Sequence, residues 1–168
     1  MVDEHTDHTA EESEQLVVFQ LSDELFGVNI AMVNTILRKQ EITAIPQTPD
    51  FVEGVTNLRG TIIPVINLGK RFGFLDREAT RSSRIIVVET LGNMVGLMVD
   101  AVVETLKLRN DCIEPPPSVV RCVEAEYLRG VGKTDNGLVI LLDLEKVLTG
   151  DESGQLDTFQ KHAQRTAA

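Results

Sequence analysis

Hydrophobic residues along the chain fall in short clusters separated by turn-forming residues, not in the long stripes of amphipathic helices. Leu16–Leu21 (LVVFQL) reads as a strand, Ser22–Glu24 as a turn and Leu25–Ile30 (LFGVNI) as the returning strand. Ala31–Leu37 suits a helical turn leading into another strand. Thr61–Leu68 (TIIPVINL) is strand-like, but Pro64 has no N–H for a ladder and is expected at an edge or bulge. Arg84–Val88 and Met94–Leu106 form a second strand–turn–strand unit around Leu91-Gly92-Asn93. Gly137–Leu144 is a further strand, entered through Lys133-Thr134-Asp135-Asn136. Asp143–Leu148 is expected to form a helical turn, and Asp151–His162 a marginal helix or tail.

An internal repeat organises these elements. At an offset of 69, Gly27 meets Gly96, Ile30 meets Val99, Val33 meets Val102 and Leu37 meets Leu106. At an offset of 70, Leu58-Arg59-Gly60 meets Leu128-Arg129-Gly130. At an offset of 76, Ile63–Leu68 (IPVINL) meets Val139–Leu144 (VILLDL), and the KTDNG turn absorbs the six-residue slip. Two similar β-subdomains follow, residues 16–78 and 79–149. Short strands joined by turns suggest barrels, which leave few exposed edges. Each half has about 65 residues, too few to be expected to stand alone.

Charge changes the picture mainly at the ends. The chain has 168 residues, with 26 Asp+Glu against 16 Lys+Arg, and a net charge of −10. Residues 1–15 hold six acids and no base, and read as a solvated, disordered acidic tail. Residues 150–168 carry a net −1, which leaves −3 to residues 16–149. So acidic a chain lacks the cationic surface needed for non-specific nucleic-acid binding. The N-terminus is polar rather than basic and then apolar, and the longest apolar runs are shorter than a membrane span, so a cytoplasmic protein is expected.

Candidate chemistry is sparse. All three histidines (His5, His8 and His162) lie in the tails, which removes Ser-His-Asp and Cys-His nucleophiles from the body. Cys112 and Cys122 are too few for a disulfide scaffold or a zinc site. Gly130-Val131-Gly132-Lys133-Thr134 imitates a phosphate loop, but five residues before Gly132 stands Tyr127 rather than Gly. Asp135-Asn136-Gly137 then signals a turn into a strand. Asp100 interrupts an apolar run as either an outward residue or a hydrogen-bonded corner. No catalytic set, metal site or cofactor site emerges. Surface remains: apolar residues on the short strands of the first half, and Arg59 at a glycine-flanked turn, which suit contacts with a protein partner.

Val17-Val18-Phe19, Phe26-Gly27-Val28, Ile42-Thr43 and Ile45-Pro46 resemble the CheW chemotaxis adaptor family. So does the run Phe51–Leu68, which contains GVTNLRG and IPVINL, with Gly96-Leu97, Val99-Asp100 and the late Leu-Asp-Leu strand following. The resemblance covers residues 16–149. It implies an all-β fold of two packed five-stranded SH3-like barrels, no enzymatic activity, and no cofactor or metal. It implies coupling of methyl-accepting chemoreceptors to the histidine kinase CheA, at membrane-associated receptor arrays. By position, Val17, Ile30, Val33 and Ile45 are the implied kinase-docking strip. Arg59, Ile85, Val102 and Thr105 are the implied receptor contacts, near the groove between the barrels. Where some members have Glu this chain has Thr35, so no charged contact is assumed there. The alternatives are a kinase regulatory domain of the same fold, or a nucleotide-binding protein using the GKT segment.

Overall fold

The computed structural model describes residues 13–38, 40–74, 80–90, 92–115, 127–135 and 137–147. The acidic residues 1–12, Cys122 and the expected C-terminal helix lie outside them. Eleven strands are described: β1 (Ser13–Leu21), β2 (Glu24–Asn29), β3 (Val33–Arg38), β4 (Val52–Leu58), β5 (Thr61–Asn67), β6 (Arg84–Thr90), β7 (Asn93–Val99), β8 (Ala101–Arg109), β9 (Ile113–Glu114), β10 (Leu128–Thr134) and β11 (Gly137–Leu142). One-turn helices Leu68–Arg71 and Leu144–Val147 follow β5 and β11. A 3₁₀ turn, Ile30–Met32, joins β2 to β3.

The strands form two sheets, ordered β8-β1-β2-β11-β10-β9 and β3-β6-β7-β5-β4. With the two-residue β9 set aside, the orders are the same once the repeats are exchanged. At the offset of 69, β1, β2 and β3 correspond to β6, β7 and β8; at 76, β4 and β5 correspond to β10 and β11. Each sheet therefore contains the hairpin of one repeat and three strands of the other. The sheets do not divide the chain at residues 78 and 79. The chain crosses between them at Ile30–Met32 and again at Asp100, so the expected single unit Met94–Leu106 is two strands in different sheets. Asp100 is the hydrogen-bonded corner: its N–H donates to the Gln20 carbonyl at 3.0 Å and its carboxylate accepts from Ser22 N–H at 2.7 Å.

The short apolar runs follow from this arrangement. Alternate residues of a strand point to opposite faces. In β1, Leu16 and Val18 line a core under the first sheet, whereas Val17, Phe19 and Leu21 enter a core between the sheets. In β6, Ile85 and Val87 line the second sheet's own core, and Ile86 and Val88 join the shared one. β11 divides in the same way, with Val139 and Leu141 against Ile140 and Leu142. Strands buried on both faces read as continuous apolar runs rather than alternating ones.

Three local expectations change. The strands β4 and β10 were not legible, because Gly54, Gly130 and Gly132 dilute their β-propensity. The matching Leu-Arg-Gly triplets are not equivalent: Arg59-Gly60 is the β4–β5 turn, while Arg129-Gly130 lies inside β10. Pro64 is neither on an edge strand nor in a bulge. Val55, opposite it, exchanges both its backbone hydrogen bonds with Thr43 at 2.9 Å, and β7 pairs with β5 only from Val65 onward.

Two substitutions test this packing. At Gly54 (φ +145°) a Cβ would stand 2.1 Å from the Thr43 carbonyl oxygen. Gly54→Ala should therefore lower the unfolding free energy by about 2–4 kcal/mol, seen as a lower urea midpoint with an unchanged slope. Among the described residues, the buried Thr90 hydroxyl has no hydrogen-bond partner. Thr90→Val should raise stability by about 1 kcal/mol in the same measurement.

Candidate docking surfaces

The edge strands differ from the double-faced interior. β3 and β8, at the edges of the two sheets, alternate between half-buried and exposed residues along most of their length. They are also copies of one device. Val33 pairs with Val88 and Val102 with Phe19, and both half-buried valines pack against the shared core. A bulge follows in each strand, at Asn34 and at Val103, which are equivalent at the offset of 69. Next come Ile36, opposite Ile86, and Thr105, opposite Val17. Bulges re-aim edge side chains and discourage uncontrolled strand pairing.

The structure sorts the residues singled out in the sequence. Val17 is 1 % exposed in the shared core and Ile85 is 2 % exposed under the second sheet. Neither offers a side chain to a partner, because both belong to doubly buried strands. Ile30, in the 3₁₀ turn before β3, is 36 % exposed, and Val33 and Ile45 are half-buried. Val102 is half-buried and Thr105 exposed on β8. The ladder thus joins Val17 to Thr105, two residues assigned to different partners, while no strand pairing joins Arg59 to β8. Sequence reasoning missed Ile36 (38 %) and Val103 (46 %), the exposed apolar residues of these edges. The alternation in Val33–Arg38 (VNTILR) was the available signal.

Arg59 occupies a position of its own. Leu58 pairs with Thr61, so Arg59-Gly60 is a two-residue hairpin turn, and both residues have positive φ, 52° and 86°. That is a type I′ turn, which favours Asn or Gly at its first position. The Gly60 N–H donates to the Asn57 side-chain oxygen at 2.8 Å and fixes the loop. The Arg59 side chain is exposed and makes no hydrogen bond or ion pair with the described residues. A left-handed arginine costs about 1–2 kcal/mol, and no hydrogen bond or ion pair of its side chain with the described residues offsets that cost. Arg129, by contrast, is tied down: its guanidinium grips Glu14 at 2.6 and 3.2 Å and reaches the Leu142 carbonyl at 3.4 Å.

The GKT segment is structural. Gly132, Lys133 and Thr134 end β10, with no helix behind them to receive a phosphate. Lys133 pairs with Glu114 of β9 at 2.7 Å. The hydrogen bond to Glu114, and then its charge, hold the ammonium above its ordinary pKa. Among the described residues, no three His, Cys, Asp or Glu side chains gather as metal ligands.

A family model described as a CheW-like domain matches residues 15–152. The chain is 34 % identical to the chemotaxis protein CheW of Klebsiella aerogenes, covering 88 % of this chain and 89 % of that one. It is 35 % identical to the chemotaxis protein CheW of Treponema pallidum, covering 87 % and 88 %. The crystal structure of the scaffolding protein TtCheW from Thermoanaerobacter tengcongensis is similar, with a TM-score of 0.76 and 43 % identity. It covers 83 % of this chain and 90 % of that one.

Two measurements test this division of residues. Arg59→Gly should raise the unfolding free energy by about 1 kcal/mol, since glycine adopts positive φ without penalty. Val17→Asp should yield unfolded or insoluble protein, whereas Ile30→Asp should leave the melting temperature within about 2 °C of the parent. Equal losses in both would mean that Ile30 is part of the core.

Proposed function

We propose a two-surface docking mechanism for this chain, which belongs to the CheW-like domain family. The chain is an all-β, SH3-like chemotaxis adaptor, not an enzyme, and it couples methyl-accepting chemoreceptors to the CheA histidine kinase. Among the described residues, no helix is long and apolar enough to cross a membrane. We place its work in the cytoplasm, at receptor arrays.

In this reading the kinase docks on the surface around Ile30, Val33 and Ile45. The receptor tip contacts Val102, Thr105 and Arg59. Val17 and Ile85 serve from beneath, by holding the edge strands in register. The observation that carries the reading is the duplication of one bulged, half-apolar edge strand, because a repeated edge gives a single rigid body two separate docking places. Each contact can be modest, about micromolar or about −8 kcal/mol. Holding both partners on one body raises their effective concentration for one another. A change in the receptor tip can then bias the kinase through differential contact with the shared body.

Co-elution tests the assignment. The wild-type chain should co-elute with a CheA regulatory domain and, separately, with a receptor-tip fragment. Ile30→Asp should lose the kinase domain and keep the receptor, while Arg59→Ala should weaken the receptor and keep the kinase. Loss of both partners from either variant, with folding intact, rules out two separable surfaces.

A further inference from the structure

Among the described residues the core between the sheets is apolar almost throughout, yet a charged side chain is built into its end. Arg71 closes the Leu68–Arg71 helix behind β5. Its guanidinium carbon lies 5.2 Å from the centre of the Phe51 ring and 4.8 Å from that of Tyr127, and Nη2 donates to the Tyr127 hydroxyl at 2.6 Å. Phe51 leads into β4 of one sheet, and Tyr127 leads into β10 of the other. The two aromatic residues are equivalent at the offset of 76, and their backbones behave alike. The Phe51 carbonyl accepts from Asn67 N–H at 2.7 Å, and the Tyr127 carbonyl accepts from Asp143 N–H at 2.9 Å. Arg71 thus sits between two copies of one position, while its own counterpart is the buried, apolar Val147.

We propose that Arg71 is a positioning residue that fixes the rotation of one sheet against the other, and through it the relative placement of the two docking edges. The proposal rests on the two-surface adaptor reading. Apolar burial is strong but non-directional, so the shared core alone holds the sheets together without selecting one angle between them. A planar guanidinium stacked on two rings and donating to the Tyr127 hydroxyl is directional. It is placed where the two sheets meet, and only the first repeat supplies it. Phe72 and Phe26 extend the same aromatic cluster, with ring centres 6.0–6.1 Å apart from Phe72 to Tyr127 and to Phe26.

The test uses the full chain with Cys112 and Cys122 replaced by Ser and spin labels attached at Glu24→Cys and Thr61→Cys, one exposed site in each sheet. In Arg71→Met the distance distribution between labels should shift or broaden relative to the parent. Affinities for the kinase domain alone and for the receptor tip alone should stay within about twofold, while receptor-dependent kinase activation falls about tenfold. Tyr127→Phe, which removes only the hydroxyl, should give the same pattern to a smaller degree. If Arg71→Met does not fold, Tyr127→Phe decides by the same criteria. Unchanged distances, or separate affinities that fall in step with activation, overturn the proposal. A parent chain that fails to couple the partners removes the adaptor reading, whereas the distance measurement on the free chain still judges Arg71.

Discussion

The shared apolar core between the two sheets is the constraint on which the other features depend. β1, β6 and β11 are buried on both faces, one face inside their own sheet and the other against the partner sheet. A fully buried Val, Leu or Ile side chain contributes about 1.5–3 kcal/mol, so this second face is a large share of what stabilises so small a unit. Neither sheet could leave that face in water. The interleaved topology makes separation harder still, because removing one repeat would take the β1–β2 or β6–β7 hairpin out of the other sheet. Cooperative folding of the whole body is the consequence, and a body that moves as one is what an adaptor needs.

The same burial dictates where partners can be met. The doubly buried strands β1, β6 and β11 have no free face over most of their length. Exposed apolar side chains are left to the edges, to a strand end and to the 3₁₀ crossing: Ile36 on β3, Val103 on β8, Leu138 at the start of β11 and Ile30 at the crossing. The edge strands β3 and β8 carry a bulge at the equivalent place, which limits indiscriminate strand pairing while tilting side chains outward. In the proposed reading, docking is on side chains rather than on backbone edges. It also accounts for the quiet chemistry of the surface, since recognition by packing needs no titrating group.

Much of this was legible in the sequence. The all-β character, the repeat, the β1–β2 hairpin and the helical turn after β11 all follow from local pattern. The run of Ile85–Val88 announced a strand, but not that its neighbours Ile85 and Ile86 serve different cores. Without the partner sheet, a doubly buried strand and an exposed apolar strip look alike, and for that reason Val17 suited a docking strip, whereas Ile85 entered only through the family resemblance. β4 and β10 were hidden by their glycines, whose role appears only when Thr43 and Leu108 press against them. The exchange of hairpins between repeats leaves no local trace at all, because each hairpin has the same sequence pattern whichever sheet it joins. The Leu-Arg-Gly match misled for a related reason: identical triplets take different places once the true offset is 76.

Duplication supplies the symmetry of the scaffold, and divergence supplies its direction. A strictly symmetric body would offer the same edge twice and could not tell a kinase from a receptor. The departures from symmetry are therefore the informative positions. Arg59 faces solvent from a tight turn whose counterpart is Asp135, and Ile36 on one edge stands where Thr105 stands on the other. Arg71 has no charged counterpart, and Phe72 and Phe74 wrap only one end of the shared core. Equivalent positions such as Phe51 and Tyr127, or Asn67 and Asp143, hold the frame by the same hydrogen bonds in both halves. What is shared between the repeats builds the frame, and what differs makes its two edges distinct and, in the role proposed for Arg71, sets how they are placed. Coupling requires both, since two identical edges would compete for one partner and two loosely joined edges would transmit nothing between partners.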